Sequence, residues 1–222
     1  MPHVIVSYDG TRNDRDALAL GRLLALAGAD VSLAYVRHSR EAEPEREASA
    51  QQQAERLLDV GASQIEAPNV GQRVTFAPST ADGLASLAAE LGADVIAFGS
   101  SYRTAPGHVE IPQTAEQLLD REVSCSLALA PAGLRREPVE QSIGTVRVSG
   151  GDEDEAAIAT ASSLAHALGA IVTDGDADLL VVASRSGAPQ GQLALSSAAR
   201  EQMGQARAPV LALARGAALS FG

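Results

Sequence analysis

The residues able to do chemistry are few, and they gather at two places. One is the turn Asp9-Gly10-Thr11, which closes the apolar run 3–8. The other is a polar stretch after the apolar run 94–98: it opens with Gly99-Ser100-Ser101, contains Arg103 and Gly107, and ends at Gln113-Thr114, where a helical pattern begins. A loop of this kind between strand and helix is the frame of a phosphate site. Glycines let backbone N–H groups approach phosphate oxygens, and a hydroxyl at a helix N-terminus sits where the dipole favours anions. Most of the glycines such a loop needs are missing. Asp-Gly after a strand is also ordinary turn chemistry, so a relic loop whose residues serve packing and capping remains the competing reading. His3, His38, His108 and His166 have no metal-type spacing and read as surface or helix-face residues, although His108 shares the loop with Arg103. The lone Cys125 excludes an internal disulfide and a cysteine metal cluster, and it reads as a small buried residue. No Gly-x-Ser-x-Gly elbow, Walker loop or Cys-x-x-Cys is present.

The elements that would position these residues alternate between strand and helix patterns. Apolar runs at 3–8, 30–36, 73–77, 94–98 and 126–130 read as strands. Between them, 14–27, 40–60, 80–91 and 113–122 carry apolar residues at helical spacing, with Pro44 near the start of the second helix. Apolar strands separated by such helices predict a parallel sheet covered on both faces. The composition agrees. The chain has 222 residues, 45% hydrophobic and only 3% aromatic, so its core is mostly Ala, Leu and Val, with little surface for stacking bases or sugars. A net charge of −11 argues against sequence-independent binding to nucleic acid or anionic lipid. No apolar run approaches the roughly 20 residues of a membrane span, and no signal-peptide pattern opens the sequence, so a cytoplasmic location is expected.

A repeat organises the rest. Residues 93–132 align with 177–216 without insertion, each reading as strand, loop, amphipathic helix and strand. A polar, Pro-containing linker at 132–141 separates the halves. The second half opens with an apolar run at 144–149 and a helix carrying Ala157, Ile158, Ala161, Ala165 and Leu168 on one stripe. It then passes almost directly to the repeat, so about fifty residues of the first half have no counterpart. In a sheet of order 3-2-1-4-5 that loss removes two neighbouring edge strands and leaves 1-4-5 contiguous. The run 144–149 then becomes an edge strand, with Arg147 discouraging unwanted pairing there or snorkelling from an ordinary strand.

Three segments carry a family resemblance: Tyr8-Asp9-Gly10-Thr11, the stretch Ala93-Asp94-Val95-Ile96-Ala97-Phe98-Gly99-Ser100-Ser101, and the closing Cys125-Ser126-Leu127-Ala128-Leu129-Ala130. Together they resemble the universal stress protein family in tandem form. The resemblance implies an α/β, doubly wound, parallel five-stranded sheet of order 3-2-1-4-5 for residues 1–134. It also implies a second, abbreviated copy at 142–222 keeping strands one, four and five. Domains of the family often pair through strand five, so 125–130 and 209–214 are expected to meet within the chain; a homodimer and an unknown protein partner remain open.

Nucleotide-binding members carry G-x2-G-x9-G-[ST] after strand four. The matching positions are Gly99, Tyr102, Pro112 and Gln113 in the first copy, and Ala183, Ser186, Ser196 and Ser197 in the second. Tyr102 adds bulk and Pro112 removes a donor, while Thr114 offers a neighbouring hydroxyl. In the second copy Ser149 replaces Asp9. By resemblance, a nucleotide site in the first copy would use Asp9, Gly10, Thr11, Val36, Gly99, Ser100, Ser101, Arg103, Gly107, Gln113 and Thr114. The expected reading is a non-catalytic stress-response or regulatory module with a degenerate nucleotide site and no cofactor. The alternative is a switch that binds ATP or AMP in the first copy. An enzyme of the wider adenine-nucleotide α-hydrolase-like group would need a nucleophile, base or metal set that these residues do not offer. Residues 149–154, Ser-Gly-Gly-Asp-Glu-Asp, come near the SGGxDS loop of ATP pyrophosphatases. Carboxylates at its last two positions would repel pyrophosphate, and they are better placed to cap the following helix.

Overall fold

The computed structural model describes residues 1–121, 123–137, 143–149 and 154–222. Strands and helices alternate through the first half: β1 (His3–Ser7), α1 (Asp14–Leu26), β2 (Asp30–Arg37), α2 (Pro44–Ile65), β3 (Gly71–Phe76), α3 (Thr80–Leu91), β4 (Val95–Gly99), α4 (Gln113–Asp120) and β5 (Ser126–Ala130). A 3-10 turn at Leu134–Arg136 follows. The second half contains β6 (Thr145–Ser149), α5 (Glu155–Leu168), β7 (Ile171–Val172), β8 (Leu179–Ala183), α6 (Ser197–Gln205) and β9 (Val210–Leu213). Residues 150–153 of the 149–154 loop and 138–141 of the linker lie outside the described residues.

Helix boundaries follow local chemistry. Ser79 caps α3 by accepting the Asp82 N–H at 3.1 Å, and Asp154 caps α5 by accepting the Ala157 N–H at 3.0 Å. Pro44 occupies the first turn of α2, where its missing N–H has no cost. The sequence reading stops α2 at residue 60, before a glycine, yet the helix runs on to Ile65. Gly61 is a contact rather than a terminator: a Cβ there would lie 2.7 Å from Tyr8 Cε1, so its absence lets α2 lie close against the end of β1.

Among the described residues, nine strands form one sheet of order β3-β2-β1-β4-β5-β9-β8-β6-β7. The first five carry the expected 3-2-1-4-5 order, and every pair among them is parallel. Direction reverses where β5 meets β9, in the register Leu127↔Ala212, Ala128↔Leu211 and Leu129↔Val210. These strands are buried throughout, so each half covers the apolar edge of the other. One apolar layer joins α1, α2 and α5 to one face of the sheet, and a second joins α3, α4 and α6 to the other.

Two sequence expectations need correction. First, β6 pairs with β8 as the deletion argument requires (Val146↔Leu179, Arg147↔Leu180), but it is not the edge strand. The two-residue β7 pairs outside it (Thr145↔Ile171, Val146↔Val172), a short remnant that shields the start of β6. Arg147 lies just beyond the stretch that β7 covers. Its guanidinium crosses to the Gly175 carbonyl at 3.3 Å, on a face that carries no counterpart of α3. Second, the repeat is not free of insertions. Ile96 pairs with Leu127, whereas its counterpart Leu180 pairs with Val210, so the final strand has slipped back by one residue between α6 and β9. The start of the polar linker is also tied to the first half. Leu134 is buried, and buried Asp16 of α1 accepts the N–H groups of Gly133 and Arg135, each at 2.9 Å. Asp16 also pairs with the Arg135 guanidinium at 2.7 Å.

Candidate functional site

Because β1 is flanked by β2 on one side and β4 on the other, connections leave its carboxyl end in opposite directions and open a crevice there. The expected site residues lie at this end of the sheet, on the loops after β1 and β4 and at the start of α4. Val36 lies near the end of β2; it is buried, and the nearby Gly83 of α3 leaves room for its methyl groups, so it packs beneath α3. Next to it Arg37 is also buried, held by two 2.9 Å bonds to Glu47 and lying 4.6 Å from the centre of the Phe76 ring.

The β1 turn is tied to its own helix. The Asp9 carboxylate accepts the Thr11 N–H at 2.9 Å, Gly10 takes a positive φ of 84°, and the Asp9 N–H donates to Asp14 Oδ2 at 2.5 Å. Burial, reinforced by the Asp9 carboxylate, pushes Asp14 up to about 8. Burial also works to raise Asp9, but its bonds to Asp14 and Thr11 outweigh that and hold it below the usual carboxylate range. The two groups thus share one proton near neutral pH. Burial, with Asp14 adding to it, also raises the Tyr8 phenol.

Gly99 does not face an open phosphate cradle. A Cβ on it would lie 2.2 Å from the Asn13 carbonyl oxygen, so the β1–α1 loop occupies the space that the missing side chain leaves. The Asn13 amide then donates to the Ser100 carbonyl at 2.8 Å. Ser100 is buried; its hydroxyl donates to the Ala130 carbonyl at 2.7 Å and accepts the Glu110 N–H at 3.1 Å. Ser101 exchanges backbone bonds with Glu110 and Thr104, and its carbonyl also accepts the Thr104 hydroxyl at 2.6 Å. The Gly107 N–H donates to Ala132 at 2.7 Å. Tyr102, expected to crowd the loop, instead points outward at 73% exposure, and the Arg103 guanidinium lies 5.0 Å from the centre of its ring. At the start of α4, Pro112 is the capping residue and no side chain caps the end; Gln113 and Thr114 occupy its first turn.

The loop after β8 repeats this wiring. The Ser184 hydroxyl donates to Leu213 at 2.7 Å and accepts the Ala194 N–H at 3.1 Å, as Ser100 does with Ala130 and Glu110. The two loops also reach into opposite halves: Val109 donates to the Ala206 carbonyl at 3.1 Å, and Leu193 donates to Val123 at 2.9 Å. Both side chains are buried. Sequence reasoning missed Asn13, Asp14, Asp16 and Glu110, whose contacts depend on where the fold places the segments that carry them. A cavity of about 1150 Å³ lies at the second loop, lined by Arg185, Arg215, Ser186 and Ser196. Asp154 and Glu155 line the same space. Among the described residues, no group of three or more His, Cys, Asp or Glu side chains is placed to hold a metal ion, and no helix is long and apolar enough to cross a membrane.

Comparison with known proteins gives one family. The family model described as "Universal stress protein family" matches residues 1–131. The chain is similar to the crystal structure of a universal stress protein from Archaeoglobus fulgidus DSM 4304, with 14% identity, 96% of this chain and 98% of that one covered, and a TM-score of 0.68. A Pseudomonas aeruginosa UCBPP-PA14 protein bearing the same family name covers 96% of this chain and 93% of its own at 14% identity and a TM-score of 0.59. At these identities the likeness is one of fold. No curated protein matches the sequence.

Proposed function

The chain belongs to the universal stress protein family, and from that premise we propose that it acts as a non-catalytic regulatory module in which the family's nucleotide loop has become a joint between two units. In this reading the units are residues 1–134 and an abbreviated copy at 142–222, and the second serves mainly as a built-in partner for the first. One observation carries the reading: the loop after β4 spends its polar groups inside the protein. Ser100 is committed to Ala130 and Glu110, Gly107 to Ala132, and Val109 to the far half. A phosphate would have to compete with each of these bonds, and the Asn13 carbonyl already stands at Gly99. Placing an anion beside the Asp9–Asp14 pair would add repulsion to that competition.

Titration calorimetry with ATP and with AMP, each with Mg2+, tests the proposal, with Asp9→Ala as control. No saturable heat is expected from either protein. Saturable binding by the wild type that disappears in Asp9→Ala would favour the switch instead.

A further inference from the structure

After β9 the chain turns at Gly216 (φ 69°), and residues 217–222 run along the gap between α1 and α5. They form no helix and pair with no strand, yet they are held closely. Leu219 and Phe221 are only 6% and 7% exposed, while Ser220 and Gly222 between and beyond them face solvent. This alternation is that of an extended chain with one apolar side. Its backbone is gripped by two hydroxyls on α5. The Leu219 N–H donates to Thr160 Oγ1 at 2.9 Å, and the Phe221 N–H donates to Ser163 Oγ at 2.7 Å. Thr160 and Ser163 are three positions apart and so lie on one face of their helix. On the other side, the Gly222 N–H donates to the Ala27 carbonyl just past α1 at 2.8 Å. Gly28 permits that approach, since a Cβ there would lie 2.9 Å from the Gly222 nitrogen.

The segment thus completes an apolar layer shared by both halves without taking part in any sheet ladder. Its grip consists of two side-chain hydroxyls, one backbone bond and two apolar side chains, and none of these belongs to a sheet ladder. Gly216, at a positive φ of 69°, makes the turn that begins the segment.

We propose that residues 217–222 are a releasable strap, and that the α1–α5 groove beneath it docks the same segment from a second copy of this chain. A second copy is the occupant because it presents the sequence already seated there. Exchange between copies re-forms every bond and costs only the hinge motion and the association. Tethering within one chain gives a high effective concentration, so the closed monomer dominates in dilute solution.

The test uses the full chain. In Leu219→Ser/Phe221→Ser the tethered strap is loosened. A fluorescent peptide of residues 217–222 should then bind saturably to this variant, and at least ~tenfold more weakly to the wild type, where the tethered strap competes. Binding should vanish when the peptide itself carries Phe221→Ser. No binding to the folded variant, or equal binding to both proteins, overturns the proposal. Two measurements on the unaltered chain keep the idea testable if the variant misfolds. The Leu219, Phe221 and Gly222 amides should exchange at least ~tenfold faster than those of β1 and β4, as local opening requires; equal rates overturn release. Sedimentation equilibrium should show a dimer that grows with concentration, and a monomer at every concentration overturns exchange between copies.

Discussion

Replacing Gly99 by alanine separates the two roles open to this glycine. If its purpose were to admit a phosphate, Gly99→Ala would leave stability almost unchanged and affect only binding. The structure gives it a different duty, since the added Cβ would lie 2.2 Å from the Asn13 carbonyl oxygen and 2.9 Å from its carbon. Both atoms are backbone, so relief requires the β1–α1 loop to move by about 1 Å. Overpacking of this kind costs about 1–3 kcal/mol. The same movement strains the Asn13 amide bond to Ser100, at 2.8 Å, whose loss adds about 0.5–1.5 kcal/mol. Against this, alanine restricts the unfolded chain and returns about 0.4–1 kcal/mol. The net expectation is a loss of about 0.5–4 kcal/mol, or a fall in Tm of roughly 1–16 °C for a chain of this size. Urea titration followed by circular dichroism measures it directly. Gly107→Ala serves as the comparison, because its Cβ would meet nothing within 4 Å and only its φ of 77° would be strained. A Gly99→Ala protein within about 0.5 kcal/mol of wild type, the range of ordinary surface changes, would refute the packing argument.

Asp16→Ala removes the buried acceptor for two part-buried N–H groups and the partner of Arg135, and a loss of about 3–5 kcal/mol is expected in the same titration. A loss below about 1 kcal/mol would mean that the segment after β5 is held by packing alone. The Asp9–Asp14 pair predicts a pH dependence. Asp14 titrates near 8 when folded and near 4 when unfolded, so between these values the folded state holds more protons and stability falls as pH rises. Every tenfold gain in proton affinity on folding corresponds to about 1.4 kcal/mol, while the lowered proton affinity of Asp9 acts only below the usual carboxylate range and leaves this window untouched. Asp14→Asn should flatten the slope between pH 5 and 8, as read from urea midpoints at each pH. An unchanged slope would remove the pair as its source.

The sequence alone determined the alternation of strands and helices and the repeat, because both follow from local periodicity written in neighbouring residues. The 3-2-1-4-5 order and the meeting of β5 with β9 came from the residues that carry the family resemblance. The frame of the candidate site was legible from the local pattern too, since Asp9 and Gly99 close apolar runs. Only the tertiary structure decided what fills that frame. Asn13 and Ser100 are 87 positions apart, and Asp16 and Gly133 are 117 apart; no periodicity links such pairs, because a polar bond between distant loops depends on where the sheet places their ends. The one-residue slip before β9 and the two-residue β7 beside β6 have the same origin. Each is a matter of register between strands, which a chain's own pattern leaves open until its neighbour is in place.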